Sequence, residues 1–223
     1  MLYFKLYSME INLNCDLGEK SKHHSNENDP DLLKLVNSAN VACGYHAGDE
    51  ETMREVVEIS KQNNVSIGAH PSFNDPENFG RKRINLGADE ISKLLIDQYE
   101  ILQNIAIKLD EKVSHIKPHG ALNNMACEDL ELATILAKTI YSIDKDIIYL
   151  VPTGSKMEIA AKKLNMKIAC EIFADRNYED DGNLVSRKKP HALITDPVHA
   201  KKLRITVRYV VVIGAPRTQY AAF

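Results

Sequence analysis

The chain of 223 residues has no apolar run approaching the roughly 20 residues a helix needs to cross a bilayer, so no membrane span is expected. It has no basic stripe either. Lys and Arg total 28 against 31 Asp and Glu, a net charge of −3, and the positive charges are spread along the chain, which argues against nucleic-acid binding. Cysteine is scarce. Its four residues, Cys15, Cys43, Cys127 and Cys170, form no C-x-x-C pair, which removes a disulfide framework and a thiolate zinc site and predicts reduced thiols in a cytoplasm. The opening Met1–Tyr7 is too short for the apolar part of a signal peptide, so export is not expected. G-x-x-x-x-G-K-[ST], G-x-G-x-x-G and H-E-x-x-H are all missing, and any nucleotide or metal site must draw on residues distant in sequence. No Pro/Gly/Ser-rich linker divides the chain, and the length predicts one domain over residues 1–223.

What is present is a globular composition, 44% hydrophobic and 26% charged, enough to bury a core. Short apolar runs alternate with longer amphipathic ones, the pattern of repeated βα units. Strands are predicted over Ile11–Cys15, Asn40–Gly44, Val65–Ala69, Val113–Lys117, Ile147–Val151, Ile168–Phe173 and Ala192–Thr195, with Val207–Ile213 a candidate eighth. The clearest helix is Asp89–Leu109, where Ile91, Leu94, Leu95, Gln98, Leu102 and Ile105 recur on one face. Asp49 is the expected N-cap of a helix over Glu50–Asn63, and Asp29-Pro30 reads as a cap followed by a first-turn proline. An α/β fold follows, with an incomplete or closed (β/α) barrel preferred to a doubly wound sheet.

Most strand candidates end in polar residues, and in a parallel barrel those ends share the rim that carries active sites. Alternation along each strand puts Asn12, Asn14 and Asp16 on one face, and likewise Ala42, Gly44 and His46; Ser66, Gly68 and His70; His115, Lys117 and His119; Glu171, Phe173 and Asp175. One such residue is usually a loop hydrogen-bonder. Five converging ends are not so explained, because unpaired buried polar groups cost about 1–3 kcal/mol each. His23, His24 and His199 read as solvated. Asp16, His46 and His70 supply ligand types suited to a divalent metal, or could orient a water molecule. Lys117 is a candidate for neutralising a phosphate or a developing oxyanion. His119 and Asp175 are candidates for proton transfer.

In order along the chain, Asn14–Glu19 (Asn-Cys-Asp-Leu-Gly-Glu), Ser38–Asp49, Gly68–Pro71, His115–Leu122 and Phe173–Tyr178 followed by Asp181–Leu184 resemble the LamB/YcsF family. The likeness runs from about Met9 to about Lys202. It implies a (β/α)7-type barrel similar to that of the glycoside hydrolase and deacetylase superfamily. It also implies a hydrolase of the 5-oxoprolinase type, with ATP as nucleotide co-substrate and 5-oxo-L-proline opened to L-glutamate. Partner subunits B and C would complete the enzyme. The matched motifs carry Asp16, His46, His70, Lys117, His119 and Asp175 as catalytic positions, and Glu19, Asp49 and Arg176 as substrate-binding positions. Departures are the segment Lys20–Asn28, which lacks the usual Phe-Gly, Asn123 in place of Tyr, and His191 in place of Gly. Residues 204–223 do not follow the family's final motif and read as an atypical tail, and residues 1–8 as an extension. Two other readings are a metal-dependent deacetylase or carbohydrate hydrolase, and a partner-dependent scaffold without turnover.

Overall fold

The computed structural model describes residues 12–22, 24–173, 175–180, 182–196 and 198. Six strands, β1 (Asn14–Leu17), β2 (Ser38–Ala42), β3 (Ser66–His70), β4 (Val113–Ile116), β5 (Ile148–Pro152) and β6 (Ile168–Glu171), form one sheet in chain order. Every neighbouring pair is parallel. The crossovers carry α1 (Asp29–Leu32), α2 (Glu50–Asn63), α3 (Ala88–Lys108), α4 (Gly120–Glu128), α5 (Leu130–Ile143) and α6 (Lys156–Lys163). The sheet curls until its first and last strands face each other: the Asn14 amide on β1 lies 3.4 Å from the Glu171 carboxylate on β6. The result is an incomplete α/β barrel, in line with the expected architecture.

Three sequence expectations are corrected. Ala192–Thr195 is not a strand; Leu193 makes only an isolated bridge to Arg176. The first two strands lie two to three residues away from their expected positions. Asp29 does not cap α1, which begins after Asn28; its carboxylate accepts the Gly18 N–H at 2.7 Å and ties the chain leaving β1. Val207–Ile213, residues 1–8, residues 204–223, His23 and His199 lie outside the described residues.

The apolar core sits between sheet and helices rather than inside the barrel. Ala39, Val41, Ile67, Ala69, Tyr149, Val151 and Cys170 pack with the helix residues Val56, Leu95, Leu102, Leu136 and Met157. All six residues of the expected α3 face are buried. Gln98, polar on that face, holds both backbone groups of Ser72: its Oε1 accepts the Ser72 N–H at 2.9 Å and its Nε2 donates to the Ser72 carbonyl at 2.8 Å. The segment after β3 is thereby fixed to the helix behind it. The register shift between Ile67/Gly68 and Val113/His115 marks a bulge at Ser114. It lets Val113 and Ile116 both join the core while His115 and Lys117 face the barrel centre.

Among the described residues no helix is long and apolar enough to cross a membrane.

Candidate active site

The strand faces left over by the core hold Asn14 and Asp16 on β1, Asn40 on β2, Gly68 on β3, His115 on β4 and Glu171 on β6. Lys117, just past β4, is the hub. Its ammonium lies 3.0 Å from Asp16, 3.1 Å from Glu171 and 3.2 Å from the Asn14 amide oxygen, and the residue is 4% exposed. A cation removed from water survives only with such partners. Burial opposes the charge, but Asp16 and Glu171 outweigh it and hold the Lys117 pKa above the usual lysine range. Asn40 then supports the hub, its amide nitrogen donating to Asn14 Oδ1 at 2.8 Å and Asp16 Oδ1 at 2.9 Å. Both donors are used, so Asn40 Oδ1 must accept, and it faces His115 Nε2 at 3.0 Å. His115 is neutral, pushed down to about 3 by burial and then by the charges of Lys117 and His70.

The second half of the site is a group of three imidazoles and a carboxylate. His46 and His119 stack in parallel with ring centres 3.9 Å apart, and Phe79 meets both edge-on. Their stacking needs Gly80: a Cβ there would lie 2.1 Å from Ser72 Oγ and 2.9 Å from His46 Cβ, and its φ of +63° is strained for any side chain. His70 Nε2 is 2.9 Å from His119 Nδ1 and 3.4 Å from Asp16. Glu19 reaches all three rings, at 3.2 Å from His46, 3.4 Å from His119 and 3.9 Å from His70. Burial lowers His46 to about 3, helped by the charge on His70, and lowers His119 well below the usual imidazole value for the same reasons. His70 goes the other way. Burial resists its charge, but Asp16 stabilises the imidazolium and raises its pKa. Asp16 is correspondingly held well below the usual carboxylate range by His70 and Lys117, against burial. Glu171 is raised, burial outweighing the pull of Lys117.

The structure thus brings together Asp16, Glu19, His46, His70, Lys117 and His119, and leaves three of the expected positions elsewhere. Asp49 is exposed and caps α2, its Oδ1 accepting from the Thr52 N–H and hydroxyl, each at 2.8 Å. Asp49→Ala is expected to lower stability by about 1 kcal/mol in urea denaturation, with KM and kcat unchanged. Asp175 is exposed four residues beyond β6, where its backbone carbonyl takes the Ile194 N–H. Arg176 is buried but turned into its own loop, donating to the carbonyls of Val185 at 2.7 Å and Ala192 at 3.3 Å. Of the expected metal trio, Asp16 gives its Oδ1 to Lys117 and Asn40 and turns its Oδ2 to His70 at 3.4 Å, while the donor atoms that gather within 4.8 Å of one another belong to Glu19, His46, His70 and His119. Sequence reasoning aligned Asn14, His115 and Glu171 on the polar strand faces without assigning them a role, and did not name Asn40 among them, whose parity with Ala42 and Gly44 was the signal that could have found it.

A parallel strand-and-helix barrel with a polar, carboxylate- and imidazole-lined centre defines the class as that of the α/β-barrel proteins. Residues 11–213 match the LamB/YcsF family, and the chain belongs to it. It is 44% identical over 194 residues to proteins named as a subunit of 5-oxoprolinase in Staphylococcus aureus strains MSSA476 and Newman, covering 87% of this chain and 78% of each relative. Among solved structures it is similar to a lactam utilization protein from Thermus thermophilus, with a TM-score of 0.83 and 34% identity, covering 91% of this chain and 83% of that one.

Proposed function

We propose that this chain is the lactam-binding subunit of an ATP-dependent 5-oxoprolinase and works with partner subunits B and C in the cytoplasm. The observation that carries the reading is the pairing of a buried ammonium, Lys117, with the group of imidazoles and carboxylate on its far side. A five-membered lactam is a resonance-stabilised amide, and water alone opens it slowly. In the proposed sequence the lactam oxygen attacks the terminal phosphorus of ATP and ADP leaves. Phosphorylation makes the ring carbon electrophilic. One water adds to that carbon, the C–N bond breaks with protonation of the nitrogen, and the resulting acyl phosphate is hydrolysed by a second water to L-glutamate and phosphate.

In this scheme Lys117 faces the oxygen that accumulates negative charge, where a preoriented cation contributes most. Asp16 and Glu171 keep that ammonium in place. Glu19 and the imidazoles hold the attacking water, take its proton and return one to the ring nitrogen. His70, whose charge Asp16 supports, is the first candidate for the donor. Asp175 is not used, because it is exposed beyond the end of β6 and its backbone carbonyl is taken up by the Ile194 N–H.

The test is glutamate release from 5-oxo-L-proline by this chain mixed with subunits B and C. Release should require all three chains and ATP, and His70→Ala should lower kcat by about 100-fold or more. Undiminished turnover in that variant would remove the site from the reaction. Acetate release from an acetylated sugar without ATP would instead favour a deacetylase, the reading that a ligand set rich in imidazole would support.

A further inference from the structure

We propose that Glu19, His46, His70 and His119 bind one divalent transition-metal ion of the zinc class. The argument starts from tautomers. His70 Nδ1 lies 2.6 Å from the Lys117 carbonyl, which can only accept, so this nitrogen carries the hydrogen. His119 Nε2 lies 3.0 Å from the Phe79 carbonyl and carries its hydrogen for the same reason. With His70 neutral, the remaining nitrogens, His70 Nε2 and His119 Nδ1, present lone pairs to each other across 2.9 Å; the proton that Asp16 favours on His70 is one cation that bridges them, and a metal ion would take its place. The Glu19 carboxylate, a third acceptor, faces both. Lone pairs pointing at one another repel unless a cation lies between them.

The surroundings fit a metal. An imidazole that donates its other N–H to a backbone carbonyl is the usual support of a metal ligand, fixing ring orientation and raising basicity. Both His70 and His119 have it. The 2.9 Å nitrogen separation subtends about 90° at a metal–nitrogen distance of about 2.1 Å. All four donor atoms lie within 4.8 Å of one another, so seating a tetrahedral ion, whose ligands stand about 3.4 Å apart, requires the outermost to close by about 1.4 Å. His46 is fully buried, and its Nδ1 has no hydrogen-bond partner. Three nitrogens and one carboxylate suit zinc, cobalt, nickel or iron better than the hard oxygen-seeking magnesium or calcium. The ion would sit beside Asp16 and Lys117, where it could acidify a bound water. That use rests on the function proposed above; the binding does not.

The experiment uses the full chain, stripped with a chelator and titrated with Co²⁺ and then Zn²⁺. One equivalent of Co²⁺ is expected to bind saturably, with visible absorption bands that Zn²⁺ abolishes by displacement. His119→Ala and Glu19→Gln should each weaken binding by about 100-fold, while His191→Ala, on the exposed loop, binds like the wild type. If the site variants do not fold, the wild-type cobalt spectrum decides. No saturable binding by the wild type, or unchanged affinity in both folded site variants, would overturn the proposal and leave a shared proton between His70 and His119. Glutamate release by a complex whose chain shows no saturable metal binding would sink the metal site and spare the reaction; metal binding without glutamate release in the full complex would do the reverse.

Discussion

Lys117→Met should lower stability by about 3–5 kcal/mol at neutral pH and glutamate release by about 1,000-fold. The side chain keeps most of its volume, so the effect is electrostatic. Without the ammonium, Asp16 and Glu171 share the barrel centre as uncompensated carboxylates. Asp16 is partly relieved, being 31% exposed and next to His70, whereas the Glu171 side chain is 2% exposed and already raised by burial. Glu171 therefore carries most of the loss. The pH dependence follows from its direction. With its folded pKa driven further above the unfolded value of about 4.3, ionised Glu171 opposes folding at high pH, and the deficit shrinks as pH falls and the carboxyl takes a proton. Urea denaturation of the variant against the wild type should show a larger difference at pH 8 than at pH 5. A second substitution separates fold from function: adding Glu171→Gln should restore at least half of the stability and none of the turnover. Equal deficits at both pH values would mean that Lys117 acts by packing alone.

Glu171 is also where legibility of the sequence stopped. The order of the βα units, the α3 face and the extent of α2 were readable because burial imposes a 3.6-residue period and a cap has a chemical signature, whereas the seventh expected strand is absent among the described residues. Convergence of Asp16, His46, His70, Lys117 and His119 followed from strand alternation once the strands were taken as parallel neighbours. Glu171 was placed on the polar face but passed over for Asp175, because the apolar run in the sequence continues to Phe173 while hydrogen bonding to β5 ends at Glu171, opposite Pro152. Asp175 was selected for the same reason. Nothing local tells the last ladder residue from a loop residue four positions on. Arg176 and Asp49 look like binding groups by type, but backbone partners absorb both. Asn40 was obscured by position and His115 was aligned with Lys117 but given no role, since both lie within strands, where buried polar residues are unusual. Only neighbouring strands reveal that each satisfies the other.

The Asn40–His115 contact also sets the second large expectation, that Gly68→Ala will be strongly destabilising although it adds one methyl group. Gly68 lies in β3 between Asn40 of β2 and His115 of β4 in the sheet register. An added Cβ would fall 2.1 Å from Cδ2 and from Nε2 of the His115 ring, well inside van der Waals contact. The ring is 1% exposed and cannot move aside without giving up its bond to Asn40 Oδ1. Overpacking of this kind costs about 1–3 kcal/mol, and a buried acceptor left without its donor about the same again. A loss of roughly 3 kcal/mol or more is therefore expected in urea denaturation. Unlike the Lys117→Met deficit, it should change little between pH 5 and pH 8, because His115 is neutral throughout that interval. Activity should fall as well. Asn40 holds Asp16 and Asn14 toward Lys117, so a shift of the ring is passed to the hub, and displacements near 1 Å lower rates by about 100-fold. Combining Gly68→Ala with His115→Ser should recover stability by making room for the methyl, while the lost support of Asn40 keeps turnover low. If Gly68→Ala alone were as stable and as active as the wild type, the close packing of β3 against the His115 ring would be wrong, and with it the account of how Asp16 is positioned.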